Sequence, residues 1–255
     1  MPSKQKKNKP SPGSYRQRNY RNRVDRSGLV SFEVQVRETD LHILATKDVR
    51  SKALHHVFEL RNQLENYIAH YPEFLQSLKP LAFDPTAPAV VKDMMRASEK
   101  AGVGPMAAVA GVTAQYIGEI LVREHGVQEI VVENGGDIFL QRSQDCRIAI
   151  FAGASPLSNK VGVLVKASQM PTGVCTSSAT VGHSLSLGQA DAVTVLARST
   201  ALADAVATRL GNETRNSQEI DLALEIGAAI EGIVGIVIIC GEQLGAWGDI
   251  ELVGV

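Results

Sequence analysis

The sequence predicts an α+β protein with helices on one face of antiparallel sheets, and three observations carry that expectation. Residues 30–37, Val-Ser-Phe-Glu-Val-Gln-Val-Arg, alternate with a period of two, as a half-buried strand does. Between Val49 and Tyr71 the apolar positions Leu54, Val57, Leu60, Leu64, Tyr67 and Ile68 shift to helical spacing. A succession of two strands, two helices and two strands then reads twice, over about 29–142 and about 147–255. Two such ββ–αα–ββ halves bury one face of each sheet under helices.

In order, Glu38-Thr39-Asp40 turns the first strand into a return strand, 41–46. Four prolines (Pro72, Pro80, Pro85, Pro88) break up the segment after the first helix. A second helix over 89–101 stops at Gly102, and Pro105 opens a third that runs to Glu124, since proline suits a first helical turn. Strands at 129–134 and 137–141 flank Gly135-Gly136, a strong hairpin signal. The second half offers strands at 147–151, 161–165, 174–176 and 192–197. Helices follow at about 200–210 and 217–229, then a hairpin of 235–240 with 244–247. Gly248-Asp249-Ile250 repeats Gly136-Asp137-Ile138 in a corresponding place.

Composition narrows the class. The 255 residues are 44% hydrophobic and 21% charged, enough for a sizeable core. No uninterrupted apolar run reaches the ~18 residues that span a bilayer, and the N-terminus lacks the apolar stretch of a secretory signal. The expected compartment is the cytoplasm, with no membrane partner. A net charge of −1 conceals an asymmetry: residues 1–26 hold nine Lys or Arg against Asp25. The remainder keeps 17 basic and 26 acidic groups. Residues 1–28 therefore read as a basic, solvated arm on an acidic domain spanning 29–255. A nucleic-acid partner is not expected, although such an arm is the place where one would bind. Cys146, Cys175 and Cys240 show no ligand-like spacing and read as small packed residues in a reducing compartment. Exposed strand edges permit self-association into a homo-oligomer without specifying it.

Four stretches carry residues suited to chemistry. Asn134-Gly135-Gly136-Asp137 places an amide and a carboxylate around a turn that a ligand can approach closely; a plain hairpin accounts for it equally well. In Ala201–Thr208, Asp204 and Thr208 are four apart and share a helix face. Both are hard oxygen donors of the kind that hold Mg²⁺ beside phosphates, although Asp204 as a cap and Thr208 bonded to a carbonyl explain the pair without a metal. Thr176-Ser177-Ser178 leads to His183, a candidate proton carrier, or else an ordinary hydroxyl-rich loop with a surface histidine. Gly102-Val103-Gly104-Pro105 opens a long helix whose free N–H groups suit an anion, with Gly104 at the approach, or simply separates two helices.

Taken in order from about Gly102 to Gly211, these stretches resemble the ApbE-like family, whose enzymes transfer FMN from FAD to a Ser or Thr of a protein using Mg²⁺. Asn134-Gly135-Gly136-Asp137 is similar to the family's Asn-x-Gly-Gly-Asp turn, one residue shorter. Val193-Thr194-Val195 followed by Ala203-Asp204-Ala205-Val206-Ala207-Thr208 is similar to its Val-Thr-Val strand and Ala-Asp-Ala-x-Ala-Thr metal helix. Thr176-Ser177-Ser178 and His183 stand where the family has Ser-Gly and the His of a His-x-x-Asp-Pro segment. The resemblance implies two T-fold-like halves and Mg²⁺ held by Asp204 and Thr208. It implies FAD or a related flavin or nucleotide at Gly104, 134–137 and 176–178, and His183 and Asp204 as catalytic. It also implies a protein acceptor with a Ser or Thr. A flavin-, pterin- or nucleotide-binding protein without transfer is the alternative. The chain departs from the pattern at Ala110-Gly111-Val112-Thr113, where the family has Lys-Gly-Tyr-Ala, and after His183, where Ser184-Leu185-Ser186-Leu187-Gly188 lacks the Asp-Pro-x-Thr-Gly continuation.

Overall fold

The computed structural model describes residues 28–179 and 188–255; the basic arm and His183 lie outside them. The chain is α+β. Eleven strands and six α-helices, among the described residues, arrange as helices on a large sheet, with a small sheet on its other side.

The first hairpin, β1 (Val30–Val36) with β2 (Thr39–Ala45), turns across Arg37 and Glu38. In β1 the residues Phe32, Val34 and Val36 are buried while Ser31, Glu33 and Gln35 face solvent, because only one face of this edge strand is covered. From Leu41 to Ala45, β2 is buried throughout. Alternation disappears where both faces are covered: Ile43 packs toward the helices and Leu44 toward the small sheet.

Helix α1 (Arg50–His70) buries Ala53, Val57, Leu60 and Leu64. Leu54, expected on that stripe, faces outward beside exposed Phe58. The short α2 (Glu73–Gln76) and α3 (Ala89–Ala101) follow; a 3₁₀ turn at Pro105–Ala108 then feeds α4 (Val109–His125). The span Pro105–His125 is long and apolar enough to cross a membrane by composition. Its residues Val112, Ala114, Ile117 and Leu121 pack in the core instead.

Strands β3 (Ile130–Asn134) and β4 (Asp137–Gln141) form the second hairpin. After β5 (Cys146–Ala149) and β6 (Val161–Val165) come β7 (Thr172–Ser177), β8 (Ala192–Ala197), α5 (Thr200–Glu213) and α6 (Ile220–Ala228). Strands β9 (Ile233–Cys240), β10 (Gln243–Gly248) and β11 (Glu251–Gly254) end the chain. The eight-stranded sheet runs β1-β2-β3-β4-β7-β8-β9-β10, antiparallel at every pairing. Strands β5 and β6, which read in sequence as part of the second half's sheet, join β11 in a separate three-stranded sheet. Their residues Cys146, Ile148, Val163 and Val165 cover the far face of the large sheet.

Helix α5 lies at the centre of the helical layer, and every residue from Thr200 to Ala207 is buried. Its alanines let α3, α4 and β7 approach closely, and Ser199 caps its start by accepting from the Leu202 amide at 3.2 Å.

Candidate active site

The site begins at the β3–β4 turn. Gly135 and Gly136 take φ of +75° and +148°, backbone that a side chain would strain, so two glycines close the hairpin with Asn134 directly opposite Asp137. The turn is tied to the next strand by the Thr176 amide, which donates to Gly136 O at 3.2 Å. Conformationally it is a hairpin. Register then decides what the turn presents, since successive strand side chains point to opposite faces.

Asp137 pairs with Cys175 across β4 and β7. Cys175 belongs to the helix-side core, so Asp137 looks into the helical layer as well. Above them, Asp204 of α5 reaches the start of α4 and accepts the Gly111 amide at 2.8 Å. Asn134 reaches the same turn from the sheet, donating from Nδ2 to Ala110 O at 3.2 Å. The start of a helix leaves its first amides without partners and favours negative charge. Here the acceptor that answers the Gly111 amide is the protein's own carboxyl group.

Burial dominates the electrostatics. Burial pushes the Asp204 carboxyl well above the usual carboxylate range; the charge of Asp137 adds to this, and the Gly111 and Ala110 amides oppose it. Burial likewise pushes Asp137 up to about 7, opposed by a hydrogen bond from the Cys175 thiol and reinforced by Glu133. Cys175 itself is driven up by burial and then by both aspartates, and its thiol also lies 3.4 Å from Thr200 O. Two interacting carboxylates, a thiol and backbone amides thus meet inside the fold. Like charges in low dielectric keep one another protonated unless a cation joins them.

The remaining candidates divide. Thr208 is half-buried one turn beyond Asp204 on α5. Ser177, on the same strand face as Cys175, packs near Gly211 in the last turns of α5. Thr176 points to the opposite face and shares a 2.9 Å hydrogen bond with Thr194. Ser178 is half-buried just past the end of β7. Gly104 sits upstream of the 3₁₀ turn against the Ser77–Leu78 backbone. Asp249, in the repeated Gly-Asp-Ile, lies between β10 and β11 and bonds Gln169 at 3.3 Å, away from the other aspartates.

Sequence reasoning treated Cys175 as packing alone and gave no part to Gln115, whose Oε1 accepts the Thr200 amide at 2.9 Å and docks α5 to α4. The register of β7 against β4 was the missing signal for Cys175. Gly111 matters for space: a Cβ there would overlap the Thr200 carbonyl and stand 2.7 Å from the Asp204 Cβ. Gly111→Ala should therefore lower stability by about 1–3 kcal/mol by forcing α4 and α5 apart. A urea midpoint equal to wild type would show that the helices yield freely.

A family described as AbpE bacteria matches residues 21–251. A UPF0280 protein of Methanococcus aeolicus is 39% identical over 227 residues, covering 87% of this chain and 91% of its own. One from Methanocaldococcus jannaschii is 42% identical over 225 residues, covering 86% and 91%. Among solved structures, the flavin transferase ApbE from Vibrio cholerae superposes with a TM-score of 0.57 at 13% identity, covering 86% of this chain and 96% of that one. The apo flavinyl transferase ApbE of Pseudomonas stutzeri gives 0.53 at 15%, covering 86% and 94%. At those identities the structural likeness establishes a shared fold.

Proposed function

We propose a function from one premise: this chain belongs to the ApbE-like family, as a divergent branch. The reading is a Mg²⁺-dependent enzyme that moves FMN from FAD to a Ser or Thr hydroxyl of an acceptor protein. The observation that carries it is the meeting of Asp137 and Asp204 at the start of α4, two carboxyl groups of raised pKa.

The donor set fits a hard divalent ion. Asp204 accepts the Gly111 amide at Oδ2 and interacts with the Ala110 amide as well; Thr208 supplies a hydroxyl one turn along, and all the donors are oxygen. Asp204 and Thr208 would hold Mg²⁺, which neutralises a pyrophosphate and stabilises charge on the leaving phosphate. The chain's own residues supply the rest. Asn134, anchored on Ala110 O, and the Gly135-Gly136 turn shape the wall that faces a flavin or nucleotide. Asp137, pushed up to about 7, would take the proton that the acceptor hydroxyl loses as its oxygen bonds to the FMN phosphorus and AMP departs. His183, outside the described residues, is proposed as a phosphate contact or second proton carrier.

Incubation of the protein with FAD, Mg²⁺ and Ser/Thr-containing acceptor proteins should release AMP and leave covalent flavin on the acceptor. Folded protein that releases no AMP and forms no flavin adduct would overturn the transferase reading.

Two observations favour a second reading, a flavin-, pterin- or nucleotide-binding protein without transfer. Asp204 already caps α4, and 110–113 contain no lysine. Tight binding that ignores Mg²⁺ and survives Asp204→Ala would select it.

A further inference from the structure

At the other end of α4, about 21 Å along the helix from Gly111 at 1.5 Å per residue, three histidines and two glutamates gather. None belongs to the site above. His125 is the last residue of α4, and His55, His56 and Glu59 project from the second turn of α1 and the turn after it.

His56 Nε2 and His125 Nε2 face each other at 2.9 Å. Behind His56, Nδ1 meets Glu59 Oε2 at 2.9 Å, and the other Glu59 oxygen is 3.3 Å from His55 Nε2. A carboxylate on Nδ1 fixes the proton there, so His56 Nε2 carries a lone pair aimed at His125. This is the arrangement in which an outer carboxylate orients a metal-binding imidazole. Glu124 completes the group: one ring nitrogen each of His56 and His125 and one Glu124 oxygen lie within 4.8 Å of one another.

We propose that His56, His125 and Glu124, with Glu59 holding His56 from behind, form a Zn²⁺-class transition-metal site that clamps α1 to the C-terminal end of α4. Distances decide for a metal of this size. With bonds of about 2.0–2.1 Å in tetrahedral geometry, two nitrogens on one ion stand roughly 3.3 Å apart. A side-chain shift of a few tenths of an ångström reaches that value from 2.9 Å. Imidazole and carboxylate together suit Zn²⁺, Ni²⁺ or Cu²⁺, whereas the all-oxygen donors at Asp204 suit Mg²⁺.

The platform is rigid. Ala53 and Val57 of α1 pack with Ile117 and Leu121 of α4 in the core beneath the histidines. The His56 side chain is 11% exposed, enough for an ion to enter from solvent. Lys47 and Lys52 lie near His125, and the carboxylates of Glu59 and Glu124 offset them. Glu124 gives up an exposed contact with Arg123 when it binds. The fourth position is left to water.

The test uses full-length, untagged, chelator-stripped protein titrated with ZnCl₂. One equivalent should bind and raise Tm by about 5 °C at 100-fold excess over Kd. Co²⁺ in its place should develop visible d–d absorption. His56→Ala and His125→Ala should each weaken Zn²⁺ binding by more than tenfold, and Glu59→Gln by roughly 10–100-fold. Asp204→Asn should leave it unchanged, separating this site from the one at the opposite end of α4. Stoichiometric binding that survives the His56/His125 double alanine variant, or that is lost with Asp204→Asn, would overturn the proposal. A measurement on the wild type guards against misfolded variants: Zn²⁺ should protect His56 and His125 from diethylpyrocarbonate as read by mass spectrometry, and equal labelling with and without Zn²⁺ refutes the site.

Discussion

Asp204→Ala is expected to lower flavin transfer by roughly two to three orders of magnitude, the scale of losing one charge-stabilising group at a phosphoryl centre. The same substitution removes the acceptor of the Gly111 amide at the start of α4. It should therefore also cost about 0.5–2 kcal/mol of stability, as loss of a helix cap does. Asp204→Asn separates the two roles. An amide oxygen still accepts from Gly111, so fold and Tm should be retained, while the charge needed by the metal is gone. AMP release would then fall as far in Asn as in Ala, although only Ala is destabilised. Wild-type transfer by the Asn variant would reduce Asp204 to a capping residue.

The second large effect is on stability against pH. Asp137 rises from an ordinary 3.8 to about 7 in the folded protein, chiefly through burial. The folded state therefore holds this proton more tightly than the unfolded chain. Its contribution is fully present below about pH 4 and is lost as pH rises to about 7. A shift of about three units at ~1.4 kcal/mol each sets a ceiling near 4 kcal/mol, and partial exposure with coupling to Asp204 brings the expectation to roughly 2–3 kcal/mol. Urea midpoints of metal-free protein should fall between pH 5 and pH 8. Asp137→Asn should flatten most of that fall and be more stable than wild type at pH 8. Mg²⁺ should restore wild-type stability at pH 8 more than at pH 5, since a cation held at Asp204 offsets the charge that Asp137 acquires beside it. A pH profile identical in wild type and Asp137→Asn would place the titrating charge elsewhere.

What the sequence made legible follows from what covers each element. Phe32, Val34 and Val36 announce β1 because solvent lies on its other face. Gly135-Gly136 announces its turn because two positive φ values leave few other residues that fit. The carboxylate of Asp204 stood out in an alanine-rich helix, yet its partner Gly111 is 93 positions away, and no local pattern encodes that contact. Cys175 and Thr176 show why a motif does not map onto a site unaided. They are neighbours in sequence, and strand alternation sends one toward Asp137 and the other toward Thr194 on the opposite face. β5 and β6 were legible as strands but not as members of the smaller sheet. Their own residues look like those of any buried strand, and the partner that completes their sheet comes at the end of the chain.

That last pairing bears on the order in which the molecule assembles. The β1–β2 and β3–β4 hairpins each close across two residues. Strand β11 meets β6 with Gly254 opposite Val161 and Glu251 opposite Leu164, closing a loop of about ninety residues. Loop entropy favours the two hairpins first; the β2–β3 pairing of the large sheet and the Gly111–Asp204 contact close loops of similar length to β11–β6 and carry a similar cost. The aspartate pair under the helical layer and the closure of the smaller sheet on the far face are therefore long-range events of comparable entropic cost, both waiting on hairpins that form locally.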